Sequence, residues 1–196
     1  MNKEFLETIR CEDGEVFHLP YHQLRYESVL NSLGAKDFKE LSEYIDPPKK
    51  GLYRCRVLYT TQDISVEYIP YTQRKIKKLK LVKSDTIKYS KKYADRSQLD
   101  TLFSQRENAD DILIIKNKKV TDTSIANIAL YDGVKWFTPK EPLLKGTTRA
   151  RLLDEGKIFE RDILENELEN FQKLALLNAM IDFDIITQEN IRNIYC

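Results

Sequence analysis

Three consecutive stretches between residues 52 and 83 decide most of what this chain can become. LYRCRVLY (52–59) and ISVEYIPY (64–71) place apolar side chains at alternate positions and are rich in Tyr, Val and Ile, so they are strands with one face turned inward. IKKLKLVK (76–83) alternates Lys with Ile or Leu, which again separates a buried face from a charged one. A solvated sheet face is the ordinary use of such a lysine row, and nucleic-acid binding the rarer one.

Around this block the pattern changes repeatedly. Phe5 to Arg10, then EDGE, then Val16 to Leu19 reads as a hairpin, because Asp13-Gly14 suits a tight turn. Pro20 opens a helix through Tyr21, Leu24, Val29, Leu30 and Leu33 that Gly34 can cap. A short helix from Phe38 to Ile45 stops at Asp46-Pro47-Pro48. Beyond residue 83, a polar segment (84–95) reads as a linker, and Ser97 to Gln105 as an amphipathic helix. Ile112 to Ile115 is an apolar strand, and Val120 to Leu130 continues its sheet. Asp132-Gly133 then turns the chain into KWFTP. KGTTRARLLDEG is a helix opened by Gly-Thr and closed by Gly156, KIFERDI an edge strand, and Glu167 to Met180 a long helix with an apolar stripe. Strands and helices alternate irregularly, which predicts an α+β fold of two subdomains: residues 1–83, a linker 84–95, and residues 96–196. There is no GxGxxG fingerprint for a Rossmann dinucleotide site.

Charge narrows the function. Thirty-two Lys and Arg stand against 31 Asp and Glu, so no global field draws nucleic acid or an anionic membrane. No apolar run approaches the roughly 20 residues of a membrane span, and MNKEFLETIR has no signal-peptide core. Cys11, Cys55 and Cys196 are odd in number and lack metal-ligand spacing; they read as reduced thiols of a cytoplasmic protein.

Several residues carry potential chemistry, each beside a plainer use. Lys92 becomes a nucleophile if burial and the neighbouring Lys91 and Arg96 deprotonate it, although most lysines are solvated surface residues. Asp122, after a buried strand, is able to pair with a protonated pyridine nitrogen or simply to bond its own turn. Gly146-Thr147-Thr148 starts a helix, where free N–H groups bind phosphate; Thr also caps helices without any ligand. Arg25 is able to clamp such a phosphate through two parallel bonds, or to sit on the surface. His18 and His22 form no triad or zinc site and are set aside as catalysts.

Taken together, these segments resemble the class-IV aminotransferase family of fold-type IV pyridoxal-phosphate enzymes, and within it aminodeoxychorismate lyase. LETIRCEDGEVFHLPYHQLR resembles the family's early hairpin and the helix carrying a phosphate-binding arginine, here Arg25. KYADR resembles the lyase's Lys-x-x-x-Arg segment, which implies a Schiff-base lysine at Lys92. VTDTSIAN resembles Thr-Glu-x-x-x-x-Asn and implies Asp122 as the ring-nitrogen partner, one methylene shorter than the usual Glu. LLKGTTR resembles the phosphate turn and implies Thr147 and Thr148. LLNAM resembles the lyase's Asn-Ala-Leu/Met stretch, with backbone at Asn178 and Ala179 closing over the phosphate. Thr8, in LETIR, matches a lyase threonine that assists proton transfer.

The resemblance implies the two-subdomain architecture of D-amino-acid aminotransferase with a shortened N-terminal part, pyridoxal 5'-phosphate as cofactor, no metal, a small amino substrate and a homodimer. The implied reaction converts 4-amino-4-deoxychorismate to 4-aminobenzoate and pyruvate, a step of folate synthesis, through an aldimine at Lys92. Arg10, Arg56 and Arg96 are candidates for the substrate carboxylates. The alternatives are an amino-acid aminotransferase (branched-chain or D-amino-acid type) on the same cofactor and a degenerate, non-catalytic relative.

Overall fold

The computed structural model describes residues 3–187 and 191. Its contacts gather the chain into two units, Met1–Gln73 with Lys91–Asp95, and Arg74–Ser90 with Arg96–Cys196. The boundary expected at residue 83 therefore moves to residue 73, and the expected linker is divided between the units. The cause lies in the sheet: Leu79–Lys83, taken from its sequence as the end of the first subdomain, pairs in parallel with Asp111–Lys116 of the second.

In the first unit, β1 (Phe5–Glu12) turns at Asp13 and Gly14, both at positive φ, into the short β2 (Glu15–Val16). His18, also at positive φ, precedes α1 (Leu19–Asn31), whose first turn holds Pro20 where no N–H is needed. β3 (Leu52–Tyr59) and β4 (Ile64–Pro70) complete an antiparallel sheet in the order β2-β1-β3-β4. The period-two pattern does what it predicts. Phe5, Ile9 and Cys11 of β1 pack with Cys55, Val57 and Tyr59 of β3 against Tyr26, Val29 and Leu30 of α1. The helix expected over Phe38–Ile45 shrinks to one 3-10 turn, Leu41–Glu43. So short a segment cannot recover the cost of helix nucleation, and the Leu41 N–H is bonded instead to the Gln23 side chain at 2.9 Å. Residues 91–95 add to the N-terminal half of β1: Tyr93 bridges Phe5, the Leu6 N–H donates to the Lys92 carbonyl at 2.8 Å, and the Ala94 N–H to that of Glu4 at 3.0 Å.

The second unit holds two sheets. β5 (Leu79–Lys83), β6 (Asp111–Lys116) and β7 (Lys119–Thr123) form one, with α2 (Ser97–Phe103) before β6. The other joins β8 (Asn127–Tyr131), β9 (Trp136–Pro139), β10 (Phe159–Arg161), β11 (Lys173–Asn178) and β12 (Asp182–Ile185) in the order β10-β9-β8-β11-β12. α3 (Thr147–Asp154) lies between β9 and β10 in the chain. Two expectations fail here. Residues 120–130 are not one strand, because Thr123 Oγ1 takes the N–H of Ile125 and Ala126 and turns the chain from one sheet to the other. Residues 167–180 are not a long helix: after a 3-10 segment (Glu165–Asn170), KLALLN is β11, a strand between β8 and β12. Leu174 and Leu176 pack into the main core and Ala175 and Leu177 against Leu152 and Ile158, so both faces are buried. A continuous apolar run of that kind has no period that separates strand from helix.

Among the described residues no helix is long and apolar enough to cross a membrane. Cys11 and Cys55 are buried free thiols, and Cys196 lies outside the described residues.

Candidate active site

In the first unit a buried ion cluster sits between β1 and α1. Glu7 points from β1 toward the helix, fully buried. Arg25 binds it through two parallel bonds, Nε to Oε1 at 2.8 Å and Nη2 to Oε2 at 2.5 Å. His22, one turn before Arg25, places Nδ1 2.6 Å from Glu7 Oε2. Burial alone would raise the Glu7 carboxyl, but the Arg25 guanidinium and the two side-chain bonds bring it down to about 2, so it stays ionised. Burial lowers His22 against the pull of Glu7, and the charges of Arg25 and Lys92 lower it further. Lys92 is thus close enough to act on the cluster, whereas the Lys91 ammonium is bonded to Ser32 Oγ at the end of α1. Glu7 and His22 went unassigned from sequence. The signal available was the H-x-x-R spacing, which sets two side chains on one helix face.

Thr8 alternates to the other face of the sheet, where register sets it beside Arg56. Arg10 is paired with Glu12 at 2.5 Å, Arg56 with Glu67. Arg96 belongs to the second unit and donates to the Ser124 carbonyl at 2.9 Å.

In the second unit Asp122, at the end of β7, is buried and held at both oxygens. Asn127 Nδ2 donates to Oδ1 at 2.8 Å and the Leu144 N–H to Oδ2 at 2.9 Å. Asn127 Nδ2 also donates to the Leu144 carbonyl at 2.7 Å, locking the loop before α3 to the carboxylate. Burial drives the carboxyl up to about 7, despite these bonds and the charge of Arg149. A carboxylate so placed gains most from a cationic partner. Gly146 precedes α3 at φ −73°, an ordinary backbone angle, so its requirement is space: a Cβ there would strike Asn127 Oδ1. The first N–H groups of α3 and the buried Thr147 and Thr148 follow directly after it. Arg149 is turned away, donating to the Pro139 carbonyl at 2.9 Å and to Glu160 at 2.6 Å. Asn178, at the end of β11, accepts the N–H of Met180 at 2.9 Å and Ile181 at 3.1 Å and donates to the Ile125 carbonyl at 3.3 Å. The structure thus brings Asp122 to the loop before Thr147 and Thr148 in one unit, and Arg25 and Lys92 together in the other. Asn127 was visible in the sequence motif but given no role there, and Gly146 was read only as part of the turn that opens the helix.

The model of the family described as amino-transferase class IV matches residues 4–188. The chain belongs to that family. An uncharacterized protein of Haemophilus influenzae is 41% identical over 89% of this chain and 96% of its own. A crystal structure of a candidate 4-amino-4-deoxychorismate lyase from Haemophilus somnus is 37% identical and superposes with a TM-score of 0.86, covering 92% of this chain and 97% of that one. A candidate aminodeoxychorismate lyase of Schizosaccharomyces pombe is 28% identical over 85% of this chain and 82% of its own. Class IV membership makes the chain an enzyme of the aminotransferase and lyase group, with the mixed fold-type IV architecture described above.

Proposed function

We propose that the protein is a pyridoxal-phosphate lyase that converts 4-amino-4-deoxychorismate to 4-aminobenzoate and pyruvate. The observation that carries this reading is Asp122: a buried carboxylate, raised to about 7 and fixed by Asn127 and the Leu144 N–H, suits a protonated ring nitrogen. The free N–H groups at the start of α3, which follows Gly146 and carries Thr147 and Thr148, suit a phosphate, so the residues present fit the cofactor. Lys92 would hold its aldehyde carbon, Asp122 its ring nitrogen, and Arg25, Thr147, Thr148 and the backbone at Asn178 its phosphate. Glu7 fixes the plane of the Arg25 guanidinium in advance.

Pyridoxal phosphate, when bound, draws electrons from the substrate carbon beside the amine and makes its proton acidic. The Lys92 amine takes that proton as general base. The bond between the neighbouring ring carbon and the enolpyruvyl oxygen then breaks. A proton delivered from Lys92 or through the Thr8 hydroxyl reaches the methylene carbon of the leaving group, which departs as pyruvate. The ring becomes aromatic, which drives the step forward.

The names carried by the Haemophilus somnus and Schizosaccharomyces pombe relatives support the lyase reaction. The family description itself favours a second reading, an amino-acid aminotransferase in which Lys92 returns the proton to the cofactor. Pyruvate released from aminodeoxychorismate with no keto acid present distinguishes the two. We also infer a cytoplasmic homodimer, on the family resemblance and the buried free thiols.

The first test is borohydride reduction of the protein after incubation with pyridoxal phosphate. The cofactor's mass should appear on the peptide containing Lys92 in the wild type and on none in Lys92→Ala, with activity reduced at least a thousandfold, on the order expected for losing a covalent catalyst. Labelling that persists in Lys92→Ala would assign the chemistry to another lysine.

A further inference from the structure

The ion cluster between β1 and α1 balances its own charge. Glu7 supplies one negative charge and Arg25 one positive, joined by two parallel bonds. His22 completes the cluster with Nδ1 2.6 Å from Glu7 Oε2, and Glu7 and His22 are both almost wholly buried. Glu7 is ionised and can only accept, so the hydrogen of that bond belongs to His22 Nδ1. The neutral ring therefore keeps its basic nitrogen at Nε2. Facing the cluster are Arg25 of α1 itself, Lys92 of segment 91–95, and Tyr59 of β3, whose buried hydroxyl lies in the field of Glu7 and Arg25 and has no hydrogen-bond partner among the described residues. Burial first, then the charges of Arg25 and Lys92, hold His22 uncharged against the pull of Glu7.

A phosphate monoester brings about −1.5 to −2 charges at neutral pH. Against it the cluster offers one guanidinium, and Glu7 already neutralises that guanidinium. Thr147, Thr148 and the N–H groups at the start of α3 add donors but no whole charge. Under the proposed function Lys92 gives up its ammonium in holding the aldehyde carbon, which removes one of the two cations that oppose a charge on His22. Both changes act in the same direction. A negative charge left uncompensated beside a buried carboxylate is costly. Glu7 starts from about 2 and Arg25 is already charged, so His22 is the member of the cluster that gains a proton most readily near neutral pH.

We propose that His22 is the charge-compensating residue of cofactor binding: it takes one proton from solvent at Nε2 as the phosphate of a pyridoxal-type cofactor reaches Arg25, and becomes the second cation of the cluster. This deepens the pyridoxal-phosphate reading and rests on it for the place of the phosphate. His22 touches Glu7 and not the reacting atoms, so it is a positioning residue that works through the Glu7–Arg25 pair. The sign of the linkage follows. The midpoint of His22 lies higher in the loaded protein than in the free one. Cofactor affinity is therefore greatest below the free midpoint, falls about tenfold per pH unit between the two midpoints, and levels off above the loaded one.

The test is nitrogen-15 NMR titration of histidine-labelled protein, in which the exposed His18 is the one other histidine and serves as the reference. The protein is titrated free, with pyridoxal phosphate, with pyridoxine 5'-phosphate, which lacks the aldehyde, and with pyridoxine, which lacks the phosphate as well. The His22 midpoint should rise by about one pH unit or more with either phosphate ester and stay within about 0.3 unit with pyridoxine, while His18 does not move. His22→Asn keeps an N–H donor where Nδ1 stood but cannot take a proton. It should retain the wild-type fold by circular dichroism, bind pyridoxal phosphate about tenfold more weakly near pH 7, and lose the one-proton slope of affinity against pH. An unmoved His22 in protein saturated with pyridoxal phosphate overturns the proposal and leaves the lyase reading standing. A rise that is equal with pyridoxine or confined to pyridoxal phosphate overturns it too, because the phosphate is then not the cause, as does a wild-type pH slope in His22→Asn. If neither ester binds, the cofactor reading fails together with the proposal, and the absence of borohydride label on Lys92 tells that result from the others.

Discussion

Under the proposed function, Asp122 is a side chain that ties stability to the cofactor. Its carboxyl rises from the ordinary 3.8 to about 7 in the folded chain. Folding therefore favours the protonated form, so below pH 4 the residue costs nothing, and the cost grows as pH climbs to about 7, reaching roughly 4 kcal/mol at most. Glu7 acts in a lower window and with the opposite sign. Lowered from 4.5 to about 2, it adds stability above pH 4.5 that is lost as pH falls toward 2. His22, lowered from 6.5, likewise adds stability that is lost as pH falls below 6.5, and this overlaps the Asp122 window. The difference between Asp122→Asn and the wild type cancels that background. In thermal melts of cofactor-free protein, Asp122→Asn should gain on the wild type by a few kcal/mol between pH 4 and pH 7, and pyridoxal phosphate should erase most of the gap. A pH-independent difference would mean that Asp122 is stabilised as an anion without a cofactor. Asp122 was legible because a carboxylate five residues before an asparagine lies in a recognisable segment. His22 was not, since its bond to Glu7 joins two elements, and LPYHQLR alone does not say which strand residue faces the helix.

At the scale of elements, local pattern served wherever one face of a segment is buried. β1, β3, β4, α1 and α3 appear where their periodicity and turn residues put them, because the sheet face or helix stripe is written directly into the sequence. β11 did not, because Lys173–Asn178 is buried on both sides and its leucines favour helices as readily as strands. The distinction is measurable. In the strand, Leu176 and Leu177 are each nearly inaccessible, on opposite faces and in separate clusters. Leu176→Ala and Leu177→Ala should each cost about 2–5 kcal/mol in denaturant unfolding. A large loss at one position and almost none at the other would mean a one-sided element. The 73/74 boundary was hidden for a related reason: β5 looks like a third strand after β3 and β4, and nothing local reveals that its partner β6 lies beyond residue 110.

For the molecule as a whole, the path of the chain matters more than any contact. It leaves the first unit after Gln73, returns for Lys91–Asp95 and leaves again. The five residues that carry the candidate nucleophile are pinned to β1 by the Phe5–Tyr93 bridge and two backbone bonds, across a gap of roughly ninety residues. Such a non-local pairing forms late, after the closure entropy of the loop has been offset by structure on both sides. Refolding followed by far-ultraviolet circular dichroism and by pulsed borohydride labelling should therefore show helix and strand recovered first and Lys92 labelling last. Simultaneous recovery would place the bridge in the folding nucleus. The wider consequence is a form of proofreading. A nascent or damaged chain in which residues 91–95 had not docked on β1 would leave Lys92 an ordinary solvated amine among the aldehydes of the cell, because its distant tether within the first unit had not been tied.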